Sequence, residues 1–243
     1  AYRRTAYRPG DTVVAAAGRI RHQEVVDLVA AGFQEYADGT PARKRQTVST
    51  HPGVYCLSRD LEQVNLCLGA PGMAAGDPRR YAATILQLIL GGNMSSRLFQ
   101  VVREQLGLAY AIQSFVQFFS NAGLLGISAG VSPDNLSAVM AAIRRELQKL
   151  REEKISESEL EAAKEHLRDA IMLAAEDCDH RMLRLAKNEL NFGRYIPLED
   201  LIAGMQKVTA AEVLEVARDL LRPEGWGVAL LGPVADPGDY GLG

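Results

Sequence analysis

Residues 91–110 read GGNMSSRLFQVVREQLGLAY, and the fold of the chain turns on how this stretch is parsed. Two glycines precede a run in which Leu98, Val102 and Leu106 recur at helical spacing, so Gly91 and Gly92 stop one helix and a second begins. Gly107 stands where a left-handed residue closes a helix. Beyond it, AYAIQSFVQFF (109–119) and LLGISAGV (124–131) flank the polar, glycine-containing turn SNAG, the pattern of a β-hairpin. Arg103 therefore falls about one turn before the helix end and Tyr110 just past the bend. Their side chains could converge where helix passes into strand. On spacing alone, an ordinary surface arginine beside a half-buried tyrosine is the better reading.

Upstream, Asp77 followed by Pro78 is a helix start, an N-cap with proline at the first helical position. GVYCLSR (53–59) and QVNLCLG (63–69) read as two strands joined by the polar turn DLE. Earlier still, DTVVAAAG (11–18) has strand length, and Val25, Leu28, Val29 and Phe33 follow helical spacing. ADGTPARKRQTVST (37–50) lacks apolar periodicity and reads as a linker.

Downstream the chain is helical. Ser132 and Pro133 open a helix whose Leu136, Val139, Met140, Ile143, Leu147 and Leu150 form one apolar stripe. Ser156 with Glu159, and Thr209 with Glu212, have the spacing of capping boxes. Leu167, Ile171, Met172, Met182 and Leu185 read as core packing. Gly193 and Pro197 punctuate the helices, and GVALLG (227–232) is a last strand before a Gly/Pro/Asp tail. The echo between VVAAAG near the start and GVALLG near the end suggests two strands in the same role, each closing its own domain.

Composition narrows the function classes. A formal charge of −3 supplies no basic field for nucleic acid, and the most apolar run, YAATILQLILGG, is about half a membrane span. Neither a nucleic-acid nor a membrane partner is expected. Three widely spaced cysteines, Cys56, Cys67 and Cys178, suit reduced core thiols and a reducing, cytoplasmic compartment.

No complete metal site is legible. His22, His51, His166 and His180 never pair at helical ligand spacing. AAKEH (162–166) ends like an inverted zinc helix, with Glu165 and His166, but Ala162 stands where the first histidine belongs. Cys178 and His180 are too close along a helix to face each other as a dyad. There is no phosphate loop with lysine and no nucleophile elbow. GGNMSS reads as a helix stop and restart rather than an anion site.

The run LEQVNLCLGAPG, DPRRYAATILQLILGGNMSSRLFQVVREQLGLAY and the SNAGLLGISAG hairpin resembles the second domain of the pitrilysin/insulinase family of zinc metallopeptidases, and its processing-peptidase-like bacterial members above all. The likeness continues through MLRLAKNELNFGRYIPLEDLIAGMQKVTAAEVLEVA to GVALLGPV, and back into YRPGDTVVAAAG. It implies an α+β fold, a mostly antiparallel sheet with helices packed on one face. It makes residues 1–39 the closing strand and helix of a preceding, zinc-bearing domain, 40–48 a linker, 49–235 the second domain and 236–243 a loose tail. Two such halves enclose a chamber for peptides and unfolded segments. The zinc, held by an inverted His-x-x-Glu-His motif in the other half, lies outside this chain. Arg103 and Tyr110 match the arginine and tyrosine that reach from the second domain to the substrate, where they would stabilise the developing oxyanion. The resemblance thus implies a zinc metalloendopeptidase that is inactive without its zinc-bearing half, in the same polypeptide or a partner subunit. A non-catalytic assembly subunit of the same fold is the alternative, and self-association of a half-enclosure is a further expectation.

Overall fold

The computed structural model describes residues 9–34 and 48–234. The linker expected at 40–48, Val48 apart, and the tail expected at 236–243 lie outside the described residues. Those described divide into two compact units, 9–34 with 168–198 and 48–167 with 199–234.

The larger unit is built on a five-stranded sheet of β1 (Val54–Ser58), β2 (Val64–Gly72), β3 (Ala109–Phe118), β4 (Gly123–Val131) and β5 (Gly227–Gly232), in the order β1-β5-β2-β4-β3. The β3–β4 hairpin forms where SNAG places it, and Phe119 N–H donates to the Ala122 carbonyl at 2.9 Å across the turn. The strands alternate: Val64, Leu66 and Leu68 of β2 are buried while Asn65 and Cys67 are exposed, as period-two geometry requires. One face therefore belongs to the core and the other is open.

Helices α2 (Arg80–Gln87), α3 (Leu136–Glu152) and α7 (Ala210–Leu220) supply buried residues to the core on the covered face, with Ala83, Ile85, Leu86, Ile143, Leu147, Val213 and Val216 among them. Every member of the α3 stripe from Leu136 to Leu150 is buried. This is the expected α+β arrangement. β2 pairs antiparallel with β4 and β5, and β3 with β4, but β1 runs parallel to β5.

The two strands joined by DLE form where the sequence places them, but they are not neighbours in the sheet. β5 lies between them. Its Val228 and Leu230 are buried, so this short apolar strand takes an interior position where both backbone edges are paired. The parallel β1–β5 ladder is possible because a long, mostly helical connection separates them in sequence.

Other expectations shift. Asp77 does cap, its Oδ1 accepting the Arg79 N–H at 2.8 Å, but regular helix begins only at Arg80. After α2 the chain continues as a wider π-type turn through Leu88–Gly92 and breaks at Gly91. A Cβ on Gly91 would lie 2.7 Å from the Ser114 backbone nitrogen, so the break depends on a residue without a side chain. The Thr209–Glu212 box is complete, with Glu212 N–H on Thr209 Oγ1 at 3.3 Å and Thr209 N–H on Glu212 Oε2 at 2.7 Å. At the start of α4 (Glu157–Glu176), Ser156 Oγ accepts the Glu159 N–H at 3.2 Å, yet the Glu159 carboxylate does not close the second box. Arg97 holds it instead.

In the smaller unit, α1 (His22–Gly32) forms but buries no residue. The run at 12–17, expected as a strand, pairs with no ladder among the described residues. A strand is stabilised by a partner edge, and no described segment supplies one. α5 (Cys178–Phe192) buries only Asn188. Of the stripe read as core packing, Leu167 packs against the core, Ile171 and Met182 are half-buried, and Met172 and Leu185 are exposed. Periodicity marks which face is apolar, not whether this chain covers it. None of the three cysteines is in a disulfide; Cys67 and Cys178 are exposed rather than core residues, whereas the half-buried Cys56 packs against the core. α6 (Leu198–Gln206) precedes α7.

Candidate functional site

The stretch between the glycine break and β3 is short and tightly specified. Asn93 Oδ1 accepts the Ser95 N–H at 2.9 Å and its carbonyl accepts the Ser96 N–H at 3.1 Å. A π-type helix then spans Phe99–Gln105. Leu98 and Val102 are fully buried, whereas Leu106, expected on the same face, is about half exposed. A turn closed by i→i+5 bonds takes up an extra residue, which rotates Leu106 off the apolar face. Gly107, at φ 61°, ends the helix in the left-handed region, as its position predicts, and Leu108 N–H returns to the Val102 carbonyl at 2.9 Å.

β3 then begins with an irregularity. Ala109 pairs with Val131 and Ala111 with Gly130, leaving Tyr110 as the extra residue of a β-bulge. Ala109 and Ile112 are buried while Tyr110 and Ala111 are both exposed. The bulge re-aims the tyrosine, which is 79% exposed.

Arg103 and Tyr110 meet. The guanidinium carbon of Arg103 lies 5.0 Å from the centroid of the Tyr110 ring and 4.7 Å from that of Phe99, within cation–π range of both. Its polar neighbour is Glu104, with Nε to Oε1 at 3.6 Å, too long for a hydrogen bond. The guanidinium is thus flanked by two aromatic rings and makes no hydrogen bond to another described residue. Arg103 and Phe99 also border a trough of about 890 Å³ on the open face of the sheet, whose floor includes Asn65, Cys67, Gln113 and Ser128. Arg103 is the one charged residue among those lining it.

β3 is locked in place from behind. Gln87 Nε2 donates to the Ser114 carbonyl at 2.8 Å, and Ser114 Oγ donates to the Gln87 carbonyl at 2.8 Å. The buried Ser114 is thereby satisfied. On the other flank, Arg97 donates from Nε to Glu159 Oε1 at 2.9 Å and from Nη2 to Oε2 at 2.8 Å. These bonds raise the Arg97 pKa above its ordinary value, against the opposing effect of burial.

The remaining candidates do not assemble. Glu165 and His166 are exposed on α4. His180 Nδ1 lies 2.8 Å from Asp177 Oδ2, a contact at the start of α5 rather than one with Cys178, and the hydrogen bond from His180 helps lower the Asp177 pKa. Among the described residues no group of three or more His, Cys, Asp or Glu could hold a metal ion, so the described donors do not fit zinc. No described helix is long and apolar enough to cross a membrane. Sequence reading missed Phe99, Arg97 and the bulge. Phe99 had a usable signal, since residues four apart on a helix are neighbours.

Comparison with known proteins gives a consistent result. The family model described as "Peptidase M16 inactive domain" matches residues 1–167. An uncharacterized zinc protease of Streptomyces coelicolor is 37% identical, the match covering 96% of this chain and 52% of that protein. One of Bacillus subtilis is 33% identical over 96% of this chain and 56% of its own length. The chain spans about half the length of the curated relatives it matches. The crystal structure of a peptidase M16 inactive domain from Pseudomonas fluorescens superposes with a TM-score of 0.79 at 19% identity, covering 90% of this chain and 53% of that one. At that identity the likeness is one of fold.

Proposed function

The chain belongs to the M16 peptidase family, through that family's inactive domain, and on that premise we propose that it is the non-zinc half of a zinc-dependent metalloendopeptidase acting on extended peptides. Its partner is a zinc-bearing N-terminal half, in the same polypeptide or in a second subunit. The metal, held by that half, would supply the Lewis acid of the hydrolysis. Residues 1–39 complete the partner's domain and 49–235 form the second one. Three cysteines, none of them in a disulfide, favour a reducing, cytoplasmic setting.

The observation that carries this reading is the meeting of Arg103 and Tyr110 beside the trough, where the guanidinium approaches Glu104 at 3.6 Å and makes no hydrogen bond to another described residue. Peptide hydrolysis places negative charge on the carbonyl oxygen. A guanidinium and a phenol aimed at that oxygen stabilise the charge more in the transition state than in the bound substrate. The stack on Phe99 and Tyr110 keeps the guanidinium in one orientation, so little reorganisation is needed as charge develops. The neutral floor lets an extended peptide lie across the open face.

The test is reconstitution. The chain alone is expected to bind no stoichiometric zinc and to cleave no unfolded peptide, and cleavage is expected to appear when the zinc-bearing half is supplied. A zinc-loaded, correctly assembled pair that cleaves nothing would overturn the peptidase reading in favour of an assembly subunit.

A further inference from the structure

We propose that Arg97 and Glu159 form a positioning clamp for Arg103. The inference rests on the functional reading above for its consequence in catalysis, though not for its geometry. Arg103 sits near the end of a π-type helix, a conformation that is rare and seldom persists without support from its surroundings. Buried Leu98 and Val102 hold the helix against the core. Apolar packing, however, tolerates small slides and rotations. The bidentate contact to Glu159 does not, because two parallel N–H···O bonds fix direction as well as distance.

The choice of partner supports the assignment. Glu159 stands at the third helical position after Ser156, where its carboxylate would ordinarily reach back to the cap. Glu212 does so after Thr209, at 2.7 Å from the Thr209 nitrogen. Glu159 instead gives both oxygens to Arg97, at 2.9 and 2.8 Å, across 62 residues of sequence. Arg97 and Glu159 are themselves only 21% and 30% exposed, which protects the contact from competing water. Arg97 thus ties the start of the π-type helix to the first turn of α4, and Leu108 N–H on the Val102 carbonyl closes its end. Arg103 lies between these two fixed points. Its guanidinium therefore reaches the gap between Phe99 and Tyr110 in a defined register.

The experiment follows the Arg103 side-chain Nε–H resonance in the isotopically labelled 243-residue chain, since a proton near aromatic faces is displaced upfield by ring currents. Arg97→Lys keeps the charge but loses the fork that spans both carboxylate oxygens, and Glu159→Gln keeps the shape but loses the charge. Both are expected to move the Arg103 resonance back among those of exposed arginines and to speed amide exchange over Phe99–Gln105 by about tenfold. Thr209→Ala, which removes a cap elsewhere in the same unit, should lower overall stability and leave the Arg103 resonance in place. The proposal is overturned if Arg97→Lys leaves that resonance upfield, or if Thr209→Ala displaces it equally. In the protein completed with its zinc-bearing half, Arg97→Lys should lower kcat roughly ten- to a hundredfold with little change in KM. If Arg103→Ala leaves turnover intact there while the resonance shifts occur as expected, the peptidase reading fails and the clamp stands.

Discussion

Helices α3 and α1 carry the same kind of apolar periodicity and end differently. Along α3 every stripe residue from Leu136 to Leu150 is buried, whereas α1 buries none and its Leu28 is 74% exposed. The contrast extends to the units that contain them. The unit of residues 48–167 and 199–234 closes a core around its own sheet. The unit of residues 9–34 and 168–198 leaves Val14, Leu28, Met172, Leu173 and Leu190 exposed. An amphipathic pattern records that a face was selected for burial. Whether it is buried depends on what else is present.

The largest expected effect on stability separates the two units. Leu86→Ala, in the fully buried face of α2, should cost about 2–5 kcal/mol in urea denaturation. Leu28→Ala in α1 should stay within about 0.5 kcal/mol. Similar costs at the two sites would break the comparison. Joining the chain to a zinc-bearing half should slow amide exchange in α1 by about tenfold or more, equivalent to about 1.4 kcal/mol. No added protection there would show that α1 is not covered by that partner.

Smaller effects sharpen the picture within the larger unit. Thr209→Ala should lower stability by about 1 kcal/mol, since it removes the acceptor of a complete capping box. The smallest effect is pH-dependent. Hydrogen bonding from Arg79 is the main cause that lowers the Asp77 pKa from its ordinary 3.8. A carboxyl depressed on folding contributes stability above its unfolded pKa and loses it as pH falls through the folded one. The difference in unfolding midpoint between wild type and Asp77→Asn should therefore hold at neutral pH and shrink as pH falls below that ordinary value. A difference that grew on acidification would contradict the sign.

What could be read from sequence was what local pattern controls. The SNAG hairpin, the left-handed Gly107, the α3 stripe and the Thr209 box all formed where residue type and spacing placed them, because each is decided within a few residues. The insertion of β5 between β1 and β2 was not legible, since strand pairing compares segments far apart in sequence. The half-formed Ser156 box failed for the same reason: Arg97, distant in the chain, outcompeted the local backbone for Glu159. The bulge at Tyr110 was hidden because Ala109 and Ala111 fit either face of a sheet. The position of Arg103 was readable from the helix and turn. Its aromatic cradle depended on the bulge and on the π-type turn, and neither leaves a clear residue signature.

The most direct test of the proposed half-site is steady-state turnover of the protein completed with its zinc-bearing half, comparing Arg103→Ala and Tyr110→Phe with wild type at matched zinc content. Loss of one such donor to a developing oxyanion is expected to lower kcat by roughly two to three orders of magnitude, with the fold and bound zinc unchanged. Wild-type turnover in both variants would contradict the assignment of this pair to the reacting carbonyl.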